Sequence, residues 1–371
     1  MTSVAVLADQ TFAQFPGGTG TYVRRLVPAL ADTDPSLEIT LFHTHQPDAR
    51  PEPWMRKFWV EELPGGMRSL YPQWAIRRGP PLPSDLAGKD VLHAPSAVAV
   101  PPSGPGQRLV VTVHDLAFLA HPGAFPRRWA LTYRAGLARA VRSADALIAV
   151  SRHTAEDLLR RTHVRPAKVY VAPLAPSLPE RDADISEVLA RHRVSPPYVL
   201  SVGTLEPRKN LVRLVRAYRR LAARGSSHSL VLVGPVGWRP GELLEETTKE
   251  GPGHVVLTGQ VNEDDLDAFY RGASVFVYPS LYEGFGLPVL DAMARGIPTI
   301  VSTTSSLPEV AGEAGLPIDP RSVGSIAEAL EVVTTDRALA ARLADAGRTR
   351  AARFSWERTA GLTLEVYKTI L

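Results

Sequence analysis

The chain has 371 residues, 44% of them hydrophobic and 22% charged, with a formal net charge of +4 and no cysteine. That length is more than one core needs and suits two domains, and the composition is that of a soluble globular protein. The missing thiols exclude disulfides, thiolate metal sites and cysteine nucleophiles, and no apolar run reaches the roughly 18 residues of a membrane-spanning helix. The charge is uneven: residues 1–195 hold 23 basic and 18 acidic side chains, the remainder 19 and 20. The first part therefore favours anionic partners, but the excess is too small to point to nucleic acid.

The opening run Ser3 to Ala8 meets Asp9 with no basic leader ahead of it, so it reads as a buried strand and not a signal peptide, and the cytoplasm is the expected location. Gly17-Gly18-Thr19-Gly20 follows, ahead of an amphipathic helix from Thr21 to Ala31. Further strands are expected at Glu38 to His43, Val91 to Ala94, Leu109 to His114, Ala146 to Val150 and Val169 to Ala172, with helices at Arg127 to Val141 and Thr154 to Arg161. Pro51 to Pro83 shows no period. It carries Trp54, Phe58, Trp59, Tyr71 and Trp74 beside Arg56, Lys57, Arg77 and Arg78, as a loop packing its rings on its own domain or one gripping an acceptor or lipid surface.

The paired prolines at 196 and 197 forbid helix continuation and place a domain boundary after Ser195. A second series of strands follows at Tyr198 to Val202, Leu230 to Val233, Val255 to Thr258, Val275 to Tyr278 and Thr299 to Ser302. The helices between them are expected at Leu211 to Arg224, Glu263 to Gly272, Leu287 to Arg295 and Ile326 to Thr334. The tail from Arg337 is helical with a break near Phe354, where Ser355 can cap a last helix. Short β-branched runs alternating with helices give an α/β fold with parallel sheets covered on both faces.

Four stretches carry chemistry. In Tyr282 to Met293 two carboxylates, Glu283 and Asp291, bracket a turn in which Gly284, Phe285, Gly286 and Leu287 present backbone amides at the start of a helix, with Pro288 at a position that tolerates a missing N–H. Gly203-Thr204-Leu205-Glu206-Pro207-Arg208-Lys209-Asn210 sets Arg208 and Lys209 between a strand and a helix, where fixed positive charge can neutralise a departing pyrophosphate. Gly17 and Gly18 offer amides to an anion but lack the third glycine of the dinucleotide fingerprint. His114-Asp115 ends an apolar strand, where open α/β sheets put ligand-contacting residues; the imidazole can orient or deprotonate a hydroxyl. Taken singly, each also reads as an ordinary loop, basic turn or strand end. Asp182-Ala183-Asp184, Asp265-Leu266-Asp267 and His43-Thr44-His45 lack metal-site context, so no metal is expected.

Together these stretches resemble the retaining glycosyltransferases of family 4, which have the GT-B architecture of two facing Rossmann-like domains. The most specific parts are Gly203 to Asn210 and the block from Tyr278-Pro279-Ser280 through Glu283 and Pro288 to Pro308-Glu309-Val310, while Val113-His114-Asp115-Leu116 is similar to bacterial mannosyltransferase-like members. The resemblance implies an acceptor-binding domain over 1–195, a nucleotide-sugar domain over 196–354 and a helix over 355–371 returning to the first. It implies Arg208 and Lys209 on the diphosphate, aided by amides from Phe285 to Leu287, and Glu283 on the transferred sugar. Asp291 would hold the ribose, Gly17 and Gly18 would close over phosphate, and His114 would lie near sugar and acceptor. The donor would be GDP-mannose in preference to a UDP-sugar, the acceptor an anionic or lipid-linked alcohol, with no cofactor, no metal and at most peripheral attachment to the inner face of the membrane. Two positions depart from the family pattern: Asp291 replaces a common glutamate, and Thr204 stands where an arginine is frequent, so Arg208 is expected to compensate. The rival readings are a nucleotide-sugar epimerase and a noncatalytic nucleotide-sugar-binding protein, with a nicotinamide dehydrogenase third.

Overall fold

A computed structural model describes residues 1–13, 16–77, 79–179, 181 and 184–371, the side chain of Arg128 excepted. Asp182 and Ala183 of the acidic stretch, and Arg78 of the basic and aromatic segment, lie outside the described residues. The chain divides into two compact units, residues 1–174 with 355–371, and residues 175–354.

The first unit has seven parallel strands: β1 (Ser3–Leu7), β2 (Glu38–Thr44), β3 (Trp59–Leu63), β4 (Val91–Ala94), β5 (Arg108–Val113), β6 (Ala146–Ala149) and β7 (Val169–Val171), in the order β3-β2-β1-β4-β5-β6-β7. Its helices are α1 (Gly17–Thr33), α2 (Met67–Arg77), α3 (Ser84–Ala87), α4 (Ala117–Ala120), α5 (Arg127–Ser143) and α6 (Arg152–Arg161). The central strands are buried at nearly every residue, as a sheet covered on both faces requires.

The second unit has six parallel strands: β8 (Tyr198–Val202), β9 (Ser229–Val233), β10 (Val255–Gly259), β11 (Val275–Tyr278), β12 (Thr299–Ser302) and β13 (Gly315–Ile318), in the order β10-β9-β8-β11-β12-β13. Around them run α7 (Ile185–Arg191), α8 (Leu211–Ala223), α9 (Gly241–Thr248), α10 (Glu263–Gly272), α11 (Leu287–Ala294), α12 (Leu307–Ala311), α13 (Val323–Thr335) and α14 (Arg337–Ala351). Leu214, Tyr218, Leu230, Val277, Ile300 and Leu330 share one buried core there. In each unit the strand order reverses once, between β1 and β4 and between β8 and β11, and at such switch points the loops beyond the strand ends open a crevice for ligands.

The last helix, α15 (Trp356–Ile370), belongs to the first unit, as the resemblance implied. It packs along α1, Thr359 Oγ1 donates to Pro173 O at 2.6 Å, and Tyr367 OH meets buried His93 Nδ1 at 2.6 Å.

Several expectations are corrected. The first boundary falls after Leu174 and not after Ser195, because α7 packs on α10 and so belongs to the second unit. The helix expected from Thr21 begins at Gly17, with Pro16 as its cap residue. The segment Pro51 to Pro83 holds β3 and α2, and its aromatic rings pack locally: Trp54 on Phe58 and Tyr71 on Trp74. Strand β13 and helices α7, α9 and α12 were not anticipated.

Candidate active site

The switch point of the second unit gathers four charged side chains. The 203–210 loop leaves β8 and turns into α8 at Asn210, which takes a left-handed conformation (φ +60°) that asparagine tolerates. Asn210 Nδ2 donates to Pro279 O at 3.0 Å and Pro320 O at 2.6 Å, tying this loop to the one that follows β11. Arg208 and Lys209 are thereby aimed at Glu283. Lys209 Nζ donates to Glu283 Oε1 at 2.7 Å and to Tyr278 OH at 2.5 Å. Arg208 contacts Glu283 Oε2 at 2.9 Å and Glu206 Oε1 at 2.6 Å, and donates to Tyr282 O at 2.8 Å.

Two cations and two carboxylates balance one another here, almost out of solvent. Burial pushes the Glu283 carboxyl up, but Arg208 and Lys209, the latter also by its hydrogen bond, outweigh it and bring the group down to about 2. Burial also lowers the Lys209 ammonium, against the pull of Glu283, and raises Glu206 despite Arg208 and Lys209. The Lys209 ammonium retains a third proton beyond its two bonds.

The loop after Glu283 ends in an open helix terminus. Gly286 sits at φ +108°, a conformation that favours glycine, and a Cβ there would lie 2.7 Å from Leu307 Cδ2. Pro288 follows inside the first turn, and the Val289 amide returns to Gly286 O at 2.9 Å. The amides of Phe285, Gly286 and Leu287 donate to no acceptor among the described residues. Three orphan donors at the positive end of a helix are an arrangement that can receive an anion, directly after the carboxylate that Arg208 and Lys209 hold. A cavity of about 270 Å³ adjoins the 205–213 segment; Glu206 of the charged cluster lines it, whereas Lys209 and Glu283 do not.

Asp291 does not join that cluster. Its Oδ1 accepts from Ser177 N at 2.6 Å and Leu178 N at 3.0 Å, and its Oδ2 from Ser177 Oγ at 2.7 Å. Burial nonetheless raises its pKa, against these bonds. Both oxygens are occupied, so a ribose reaching Asp291 would have to share it with Ser177.

In the first unit, Gly17 and Gly18 open α1, and a Cβ at either would meet nothing within 4 Å, so their faces are clear for a ligand. His114 stands at the end of β5 with Nε2 2.8 Å from Pro95 O and the Tyr22 ring edge-on at 5.0 Å. A carbonyl can only accept, so Nε2 carries the proton and Nδ1 has a bare lone pair when the ring is neutral. Burial lowers its pKa, which keeps it neutral at physiological pH. Beneath it lies a hydroxyl and imidazole network: Tyr22 OH to Thr112 Oγ1 at 2.9 Å, and His93 Nε2 to Thr112 Oγ1 at 2.8 Å.

The rejected metal candidates have other partners. Asp265 bonds His192, and Asp267 bonds Arg271 and Arg295. Among the described residues no group of three histidines or acids could hold a metal. Residues that the sequence reading gave no role are Tyr278, Glu206, Asn210, Ser177 and the hydroxyl run Ser302 to Ser306; only the density of hydroxyls in that run is a visible signal.

The family model described as Glycosyltransferase Family 4 matches residues 16–175, and the one described as Glycosyl transferases group 1 matches 186–350. The O-antigen chain mannosyltransferase B of Escherichia coli is 33% identical over 272 residues, covering 71% of this chain and 71% of that protein. The D-inositol 3-phosphate glycosyltransferase of Salinispora arenicola is 32% identical over 287 residues, covering 71% of this chain and 63% of that protein. Sucrose-phosphate synthase from Thermosynechococcus elongatus matches 100% of this chain and 99% of its own with a TM-score of 0.74 at 22% identity. Anabaena HepE in complex with UDP-glucose matches over 100% and 99% with a TM-score of 0.75 at 17% identity. The two structures show the fold, and the sequence relatives show the family: this chain is a glycosyltransferase of family 4 with the GT-B architecture, similar to bacterial mannosyltransferases.

Proposed function

We propose that the enzyme transfers a sugar from a nucleoside diphosphate donor, GDP-mannose first, to a hydroxyl acceptor, with retention of anomeric configuration and without a metal. The observation that carries this reading is the row of orphan amides at Phe285, Gly286 and Leu287 beside the Arg208–Lys209–Glu283 cluster. A departing nucleoside diphosphate gains negative charge as its bond to the anomeric carbon breaks. Preset donors and cations stabilise that charge with no need for an acid.

Glu283 is a strongly ionised carboxylate with a pKa of about 2, hence a weak base and a poor nucleophile. This supports same-face attack over a covalent intermediate on Glu283. The acceptor oxygen bonds to the anomeric carbon on the side from which the phosphate leaves, and a phosphate oxygen takes the acceptor's proton. Glu283 then accepts sugar hydroxyls and balances the growing positive charge. Within the second unit Asp291 meets the ribose if Ser177 gives way; within the first, His114, bare at Nδ1, can accept a hydroxyl and the Gly17 and Gly18 amides can meet an anion. The first unit would bind the acceptor.

The mannose preference rests on the Escherichia coli relative named as a mannosyltransferase; HepE, bound to UDP-glucose, keeps UDP-sugars in view. An anionic or lipid-linked acceptor fits α5, which has no acidic residue and exposes Arg127, Arg134 and Arg142 along with Leu131 (66% exposed). On α2, which packs on α5, Ile76 is 73% exposed. No helix among the described residues is long and apolar enough to cross a membrane, so attachment would be peripheral.

The test is incubation with a panel of sugar nucleotides and alcohols in EDTA, with NMR of the anomeric centre. Acceptor-dependent release of nucleoside diphosphate with retained configuration is expected. Rearrangement of the donor alone would mean an epimerase, and binding without turnover a noncatalytic protein. An inverted product would overturn retention, and inactivity in EDTA that is restored by a divalent cation would overturn metal independence.

A further inference from the structure

Ser305 has a side chain but adopts φ +56°, the left-handed region that disfavours every residue with a Cβ except asparagine and aspartate. Such strain persists where the surroundings enforce it, and it clusters at functional sites. The surroundings here are specific. Ser305 Oγ donates its only proton to Thr304 O at 2.7 Å, which leaves a lone pair to accept the Glu283 amide at 2.8 Å. The carbonyl of that same peptide, Tyr282 O, accepts from Arg208 at 2.8 Å. The peptide plane leading into Glu283 is clamped at both ends.

The next residue completes the hold. Ser306, fully buried, places Oγ 3.0 Å from Glu283 O and 2.9 Å from Phe285 O. In a trans peptide the N–H points opposite to the C=O. Turning the Glu283 and Phe285 carbonyls toward Ser306 therefore turns the Gly284 and Gly286 amides the other way, so Gly286 N–H remains among the orphan donors. Thr304 Oγ1 donates to Ser280 O at 3.1 Å and Ser302 Oγ to Tyr278 O at 3.3 Å, which extends the rack back along the same loop.

We propose that Ser305 and Ser306 are positioning residues that hold the Glu283 carboxylate and the anion-binding amides of the 283–287 turn in reactive register, Ser305 doing so at the expense of backbone comfort. The inference rests on the donor site proposed above. It predicts a separation of stability from activity at Ser305. In Ser305→Gly the backbone relaxes, because glycine accepts a positive φ, while the acceptor for the Glu283 amide is lost. The expected result is a melting temperature equal to or above that of the parent. Donor kcat/KM should fall about tenfold or more, most of it in kcat, since small misplacements at a reacting centre are costly. Ser305→Asn, which tolerates the same φ and carries an oxygen acceptor, should recover part of the loss.

Hydrogen exchange at the Glu283 amide provides a readout independent of turnover and should accelerate about tenfold in Ser305→Gly, with amides of β11 unaffected. Ser305→Gly with parental kcat/KM, or with unchanged exchange at Glu283, overturns the proposal. A parent enzyme that transfers from no sugar nucleotide overturns the donor-site reading instead, and the exchange rates still decide whether the clamp exists. Ser306→Ala is the second variant. Its melting temperature should drop because two carbonyls lose a buried donor, so only a kcat loss exceeding that of an equally destabilised core variant supports the role.

Discussion

The two switch points have the same strand order but different chemistry. In the second unit the crevice is ionic: Arg208 and Lys209 against Glu206 and Glu283, followed by the open end of α11. In the first, His114 stands over Tyr22, Thr112 and His93, with Asp115 beside it and open glycines at α1. One fold thus serves two purposes. On the function proposed above, the ionic crevice would stabilise a charged leaving group, whereas the hydroxyl and imidazole network of the first unit would orient hydroxyls.

Removing charge should cost more than removing a neutral acceptor. Glu283→Ala and Lys209→Ala are each expected to cut transfer by about a hundredfold or more. His114→Ala is expected to lose closer to tenfold, the order of one well-placed hydrogen bond. Steady-state kinetics with circular dichroism to verify the fold decides this; a larger loss at His114 would reverse the ranking of the two crevices.

Acid should also tell the units apart. Burial, helped by His114, lowers His93 from 6.5 to about 3, so its neutral form is favoured in the fold. The stability this contributes is full above pH 6.5 and declines as pH falls toward 3, at about 1.4 kcal/mol per pH unit for one proton. Glu283, lowered from 4.5 to about 2, contributes stability that is full above pH 4.5 and lost only between there and pH 2. The contribution of His93 should therefore be lost at a higher pH than that of Glu283. Denaturant titrations of the parent and of His93→Leu check the assignment: the slope of stability against pH between 6.5 and 4.5 should flatten by one proton in the variant.

A finer test concerns Asp291. Ser177→Ala removes one of its donors, which should cost about 1 kcal/mol of stability and, if the carboxylate meets the ribose, tighten donor binding a few fold. Unchanged donor affinity in calorimetry would make Asp291 a purely structural tether for residues 177–178. The smallest effect is expected at the surface. Leu131→Glu should reduce retention on anionic vesicles a few fold and leave transfer to a water-soluble acceptor as it was.

The central strands were legible because each is a short run of buried β-branched and aliphatic residues. The missed strands β3 and β13 are both edges. One carries Glu61 and Glu62 and the other Pro317, features that blunt an exposed edge and at the same time erase the apolar pattern by which strands are read. The charges of the 203–210 loop and of Glu283 were legible because glycines lie beside them. The clamp by Ser305 and Ser306 was not, since a hydroxyl-rich stretch reads as a solvated turn until its partners are known. The grip of Ser177 on Asp291 spans 114 positions, and no local pattern encodes it.

The bond between Tyr367 and His93 joins residues 274 positions apart. A ribosome that has delivered all seven strands of the first unit has still not delivered the helix that lies along α1. During synthesis the N-terminal unit must wait with that flank uncovered until the entire second unit has emerged, so it is completed only after the second unit, and truncating α15 should damage the unit whose strands were made first.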